Sequence, residues 1–260
     1  APAKTDGWHD AAFFNMCRPL ELVFTNGVDK GVQVGLRTGE LQEFTTFEKF
    51  YDAYKAQMNY FIKLLVNADN AIDTAHARLC PLPFQSCMIE DCIGRGKSLQ
   101  EGGAVYNFTG PQGFGIANMT DALLAVKTLV YDKKVLKLCE LKSALDNNFG
   151  FDMDSAAAEK VTKAVAKQLV ADGKTLNEED IKSIYLAVLK NNSSEADKKR
   201  YGEILEMINE LPKYGNDIPE VDAFARDVAY TYTKPLENYT NPRGGRFQAG
   251  LYPVSANVPL

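Results

Sequence analysis

Two adjacent residues near the start of the chain, His9 and Asp10, are of the types that move protons. A carboxylate at the start of a helix can accept hydrogen bonds from substrate hydroxyls, and its negative charge suits a helix N-terminus. The same position also suits a plain N-cap, and spacing alone favours the cap. His9 could share proton transfer with its neighbour or merely cap a strand end, the blander role leading slightly. A second carboxylate pair, Asp69 and Asp73, lies beside Asn67 and Asn70. Spaced at i and i+4, the two share one helix face. Carboxylates on a buried face need partners, so this pair is either a structural tie to neighbouring backbone or solvent-facing, and the tie is favoured.

The cysteines offer less. Cys80, Cys87 and Cys92 cluster with His76 nearby, but no CxxC occurs and the spacings fit no common metal site. With Cys17 and Cys139 they make five, an odd number that favours buried thiols in a reducing compartment, the cytoplasm, over a disulfide framework. No GK[ST] follows a glycine-rich loop, and no GxGxxG stands at a strand-to-helix junction, which argues against a nucleotide cradle. GxSxG is also missing, and with it the usual serine hydrolase.

The elements that must position these residues follow from periodicity. Phe13, Phe14, Cys17, Leu20, Val23 and Phe24 recur near a 3.6-residue period, predicting a helix over 10–26 that kinks at Pro19. A polar loop covers 27–45. Thr46 caps a long helix over 47–77, and a short one spans 84–97. Residues 100–121 hold five glycines, among which the pattern predicts a strand at 104–108, a tight turn at 110–113 and a helix running to Tyr131. Glycine disfavours regular structure, so these positions imply close packing of backbone. Helices follow at 137–147, 154–172, 177–191, 196–211 and 220–233. A terminal strand carries Tyr252, Ser255 and Asn257, and alternation would turn the last two to one face.

A formal charge of −5 without a Lys/Arg cluster argues against nucleic acid as a partner. No apolar run is long enough for a membrane helix. Neither end carries a leader or polar tail, and both look cut from something longer.

Several stretches together resemble the glycyl radical enzymes, in the branch of pyruvate formate-lyase-like lyases and dehydratases. They are GWHDAAFFN from Gly7, LELVFTNG from Leu20, DNAID from Asp69, PLPFQS from Pro81, DCIGRGK from Asp91, EGGAVYNFTGPQGFGIAN from Glu101, PKYGND from Pro212 and YPVSANVP from Tyr252. They occur in the family's order, and the stretch from Glu101 to Asn118 is the most specific.

The resemblance implies an α/β fold: part of a ten-stranded barrel over 1–150, a helical insertion over 151–211, and a barrel segment over 212–260 returning to a core strand. It implies a glycyl radical installed by a separate iron–sulfur, S-adenosylmethionine-dependent activating enzyme, a thiyl on a barrel-centre cysteine, and a homodimeric parent. The thiyl and radical motifs fall outside residues 1–260, and none of the five cysteines stands in a C-x-E context. The chain alone is therefore expected to be inactive and its parent active.

In the glycerol and propanediol dehydratases the Asp of GWHD contacts substrate, which makes Asp10 and His9 candidate substrate-binding residues, with Phe13, Ser255 and Asn257 lining the pocket. No metal and no directly bound cofactor is expected. The implied reaction removes water from a small vicinal diol, glycerol or propane-1,2-diol. The alternatives within the family are isethionate sulfite-lyase, choline trimethylamine-lyase and 4-hydroxyphenylacetate decarboxylase chemistry. A reading of another class makes the chain a non-catalytic helical binding module, with 137–211 as its partner surface.

Overall fold

The computed structural model describes residues 4, 5, 7, 11–190 and 193–252, with Ala157 described in its backbone only. It contains two compact units. One comprises residues 1–127 and 212–260, the other residues 128–211. The sequence reading started the helical insertion at 151, whereas the second compact unit begins at Thr128.

In the first unit the chain opens with strand β1 (Phe13–Asn15) and helix α1 (Cys17–Phe24). The helix expected over 10–26 is therefore shortened to α1, with a three-residue strand ahead of it. The aromatic pair Phe13–Phe14 fits a pleated surface as well as a helix. The Asn15 side chain accepts from the Cys17 amide at 2.9 Å, which makes this the start of the helix. Pro19 then falls in the first turn, where its missing N–H costs nothing, and no kink results. Because α1 begins at Cys17, Asp10 does not cap it.

The loop expected over 27–45 contains a hairpin, β2 (Val28–Asp29) and β3 (Val32–Gln33). Lys30 and Gly31 make its turn, both at positive φ (47° and 80°), as a two-residue type I′ connection requires. Helix α2 (Phe47–Leu79) follows the expectation closely, and the Thr46 side chain accepts from the Lys49 amide. Its buried stripe runs through Phe50, Tyr54, Met58, Ile62 and Val66. The helix expected at 84–97 is split into α3 (Pro83–Met88) and α4 (Cys92–Arg95).

Strand β4 occupies Gln112–Phe114, where a turn was expected, and the segment 104–108 makes only an isolated bridge at Tyr106. The side-chain amide of Asn107 donates back to the Ala104 carbonyl at 3.0 Å, bending the chain where Val105 and Tyr106 suggested a strand. Gly113 is in the strand because a Cβ there would lie 2.5 Å from the Tyr232 ring. Gly115, at φ 91°, then turns the chain into α5 (Ile116–Ala125), which passes into a π-helical stretch, Val126–Asp132.

The first unit resumes with α10 (Pro219–Leu236) and β5 (Gly250–Leu251). The three longer-range strands form a parallel sheet in the order β1–β4–β5, with Phe14 opposite Gly113 and Gly113 opposite Leu251. Helix α10 packs against α2 and α5, and α1 packs against α2.

The second unit contains α6 (Leu138–Asp146), α7 (Ser155–Ala171), α8 (Glu178–Leu189) and α9 (Glu195–Asn209). All four fall where composition and the punctuating Asn, Gly and Ser residues led them to be expected. Leu138, Leu141, Ala144, Tyr201 and Ile204 are among its buried residues.

The expectation of buried thiols holds for Cys92 but not for Cys80, Cys87 and Cys139, which are exposed. Cys17 is half-buried, and burial followed by the charge of Glu21 lifts its thiol to about 11, far from the thiolate range. Among the described residues no group of three or more His, Cys, Asp or Glu could hold a metal. No helix of the described residues is long and apolar enough to cross a membrane.

Candidate functional site

Of the residues singled out for a site, His9, Asp10, Ser255 and Asn257 lie outside the described residues. Phe13 is described. It sits on β1 rather than one helical turn into a helix, and it is 58% exposed while its neighbour Phe14 is 7% exposed. Phe14 stacks on Tyr232 of α10, with ring centroids 5.0 Å apart. Side chains alternate along a strand, so the sheet has a helix-facing side, marked by Phe14 and Gly113, and an opposite side to which Phe13 and Gln112 belong. Phe13 and Gln112 are partners in register. Phe13 therefore presents an aromatic ring on the open face of the sheet and does not fill the core.

Gln112 is a residue that sequence reasoning passed over. It is buried, its amide donates to the Gly110 carbonyl at 3.1 Å, and its side chain lies where a Cβ on Gly250 would be. The pairing of Gly250 with β4 thus depends on the absence of a side chain. The one clue in the sequence was the run of glycines at 110–115, read as packing positions but assigned to a turn.

The carboxyl ends of β4 and β5 open onto a cleft of about 700 Å³, lined by Ile116 and Ala117 of α5, Tyr214, Asp217, Arg226 of α10 and Tyr252. Parallel sheets typically bind ligands at this end of their strands. The Tyr214 amide donates to Asp121 of α5 at 2.9 Å, which holds the 212–218 segment against the cleft.

A buried polar network joins α2 to residues 107–109, just ahead of β4, and to residues 241–243. Arg243 donates to Asp73 at 2.9 Å, to the Phe108 carbonyl at 3.0 Å and to Thr109 Oγ1 at 3.2 Å. Asn241 donates to the Asn107 carbonyl at 2.7 Å and to Thr109 Oγ1 at 2.9 Å. Gly102 has no room for a Cβ against the Arg243 backbone. Of the carboxylate pair of α2, Asp73 is a tie, as favoured, but to a distant guanidinium rather than to neighbouring backbone. Asp69 stands beside it with its carboxyl lifted to about 6, first by burial and then by the charge of Asp73. Tyr232 is also pushed up, by burial and then by Asp69.

A family model described as pyruvate formate lyase-like matches residues 1–260. The chain belongs to the pyruvate formate lyase-like family. A structure from Roseburia inulinivorans concerned with 1,2-propanediol dehydration is 58% identical over 99% of this chain and 31% of its own, with a TM-score of 0.86. The glycerol-bound form of the B12-independent glycerol dehydratase from Clostridium butyricum is 43% identical, over 99% and 27%, with a TM-score of 0.77. A curated relative, (2S)-3-sulfopropanediol dehydratase of Klebsiella oxytoca, is 31% identical over 99% of this chain and 26% of its own. The chain thus spans about a quarter of the length of the curated relatives it matches. Its helix-rich α/β arrangement with a parallel sheet is that of a segment of the glycyl radical enzyme barrel.

Proposed function

We propose that the polypeptide containing this chain is a glycyl radical lyase that removes water from a small vicinal diol, propane-1,2-diol or glycerol. The observation that carries this reading is the 58% identity, across 99% of the chain, to a structure concerned with propanediol dehydration. Likeness to the family's other chemistries is weaker, at 26% for an isethionate sulfite-lyase and 25% for a 4-hydroxyphenylacetate decarboxylase subunit. The radical, installed by an S-adenosylmethionine-dependent iron–sulfur activating enzyme, would supply hydrogen abstraction through a thiyl borne elsewhere in the parent.

This chain's own residues take the polar part of the work. Asp10 accepts hydrogen bonds from the substrate hydroxyls and, as general base, takes the proton of the hydroxyl that becomes the carbonyl, while the neighbouring hydroxyl leaves as water with a proton supplied by His9. His9 sits beside it as a second proton-handling and substrate-binding group. Phe13, with Ser255 and Asn257, lines the pocket. The aromatic face of Phe13, open on the sheet, suits the carbon backbone of a small diol. The reading implies a cytoplasmic homodimeric parent with a small-molecule substrate and the activating enzyme as its protein partner.

The test uses the whole polypeptide, activated anaerobically. Asp10→Asn should keep the glycyl radical signal and lose diol turnover by about 10²–10⁴, the usual contribution of one general base. Full turnover by that variant would remove Asp10 from the mechanism.

A further inference from the structure

On the open face of the sheet, Phe13, Gln112 and Gly250 stand in one row, since Phe13 is in register with Gln112 and Gln112 with Gly250. Adjacent strands lie about 4.8 Å apart, so each position borders the next. The following row, Phe14, Gly113 and Leu251, faces the helices: Phe14 and Gly113 meet Tyr232, and Leu251 lines the cleft beside α10. The row on the open face is uneven. Phe13 raises an exposed aromatic ring at one end, Gly250 has no side chain at the other, and Gln112 lies buried between them.

The Gln112 amide does not stand up from the sheet. It donates back to the Gly110 carbonyl on its own strand at 3.1 Å, and its Oε1 fills the space where a Cβ on Gly250 would be. The side chain therefore lies down across β5, and it can do so only because position 250 is glycine. The same residue adjoins the proposed chemistry in the chain. Its backbone N–H donates at 2.8 Å to the carbonyl of Ala12, two residues after Asp10.

We propose that Gln112, seated over Gly250, is a specificity-determining residue: it forms the polar floor of the diol pocket whose apolar wall is Phe13. The proposal rests on the diol-dehydrating reading above. Propane-1,2-diol and glycerol share two hydroxyls and differ at the third carbon, which carries a methyl in one and a hydroxyl in the other. An amide offers both donors and an acceptor, so a floor of this kind favours the hydroxyl. An apolar pocket discriminates poorly against an added hydroxyl, whereas a polar group that bonds it discriminates well. Gln112 thus sets the balance between the two diols, and Gly250 keeps its amide down, out of the space above the sheet.

The test uses the whole polypeptide, activated anaerobically, with the glycyl radical signal, kcat and KM recorded for each variant on both diols. Gln112→Met keeps the length of the side chain and removes the amide. It should retain the radical and lower kcat/KM for glycerol relative to propane-1,2-diol by about tenfold, the worth of one hydrogen bond. Gly250→Ala puts a methyl in the amide's seat. The displaced group is the end of a flexible side chain, so the fold should survive and the amide should turn up into the pocket. KM should then rise for both diols by about tenfold, the effect of one extra methyl in a pocket. Adding Gln112→Ala to Gly250→Ala removes the displaced group and should restore KM for propane-1,2-diol but not for glycerol. Equal losses on both diols in Gln112→Met, with the radical intact, would overturn the specificity role and leave the diol reading standing. A double variant no better than Gly250→Ala would overturn the seat. A wild type that carries the radical and dehydrates neither diol would overturn the diol reading and this assignment together.

Discussion

Each of the two units is stabilised internally by its own kind of polar interaction. In the sheet-bearing unit the Asp73–Arg243 pair joins residues 170 positions apart, with side chains only 4% and 1% exposed. In the helical unit the Glu140–Arg200 pair joins α6 to α9 with side chains 33% and 38% exposed. The Lys142–Asp146 and Lys198–Glu195 pairs of the same unit lie within single helices. The first unit relies on non-local ties that organise irregular backbone around a short sheet. The second relies on helix caps and local charge, with Ser143 and Tyr201 sharing one hydrogen bond at 2.8 Å between α6 and α9. Removing one partner of a buried pair leaves an uncompensated charge, whereas an exposed pair is screened by water and contributes little.

That contrast can be broken in graded steps. The largest effect should come from Arg243→Met, which strands Asp73 beside Asp69 and removes a donor from the Phe108 carbonyl. A loss of about 3–5 kcal/mol is expected, with faster hydrogen exchange spreading from α2 through residues 104–114. Next, Gly113→Ala places a methyl against the Tyr232 ring and should cost about 1–3 kcal/mol by overpacking, with exchange rising in β4 and α10. In the helical unit, Ser194→Ala removes the side chain that accepts from the Asp197 amide at 3.1 Å. That loss should be about 0.5–2 kcal/mol and confined to the start of α9. The smallest effect belongs to Arg200→Ala, at about 0–1 kcal/mol, and it should shrink further as salt is raised. If Arg200→Ala matched Arg243→Met, the distinction between the units would fail.

The same contrast explains what could be read in advance. Helices α6 to α9 were legible because they are announced locally, by a helix-forming, charged composition punctuated at Asn147-Asn148, Asp172-Gly173 and 191–194, with Asn177 and Ser194 capping α8 and α9. The long helix α2 was legible for the same reason, from Thr46 onward. The sheet was not. Three-residue strands carry no usable period, and β4 was taken for a turn because Gly-Pro-Gln-Gly has turn composition. Only the distant Tyr232 ring, at Gly113, and the distant Gly250 backbone, at Gln112, explain that composition. Likewise Asp73 could be flagged as needing a partner, but nothing near it in sequence points to Arg243. Of the site, the open face carrying Phe13 was missed for this reason, since the aromatic pair at 13–14 fits either a helix or a strand.

The proposed function makes this chain part of a diol-dehydrating glycyl radical lyase. The most direct test activates the whole polypeptide anaerobically with a radical S-adenosylmethionine activating enzyme, then records the glycyl radical signal and assays propane-1,2-diol and glycerol side by side. The account predicts a radical signal together with aldehyde formation from at least one of the two diols. A full radical signal with no dehydration of either diol would contradict it.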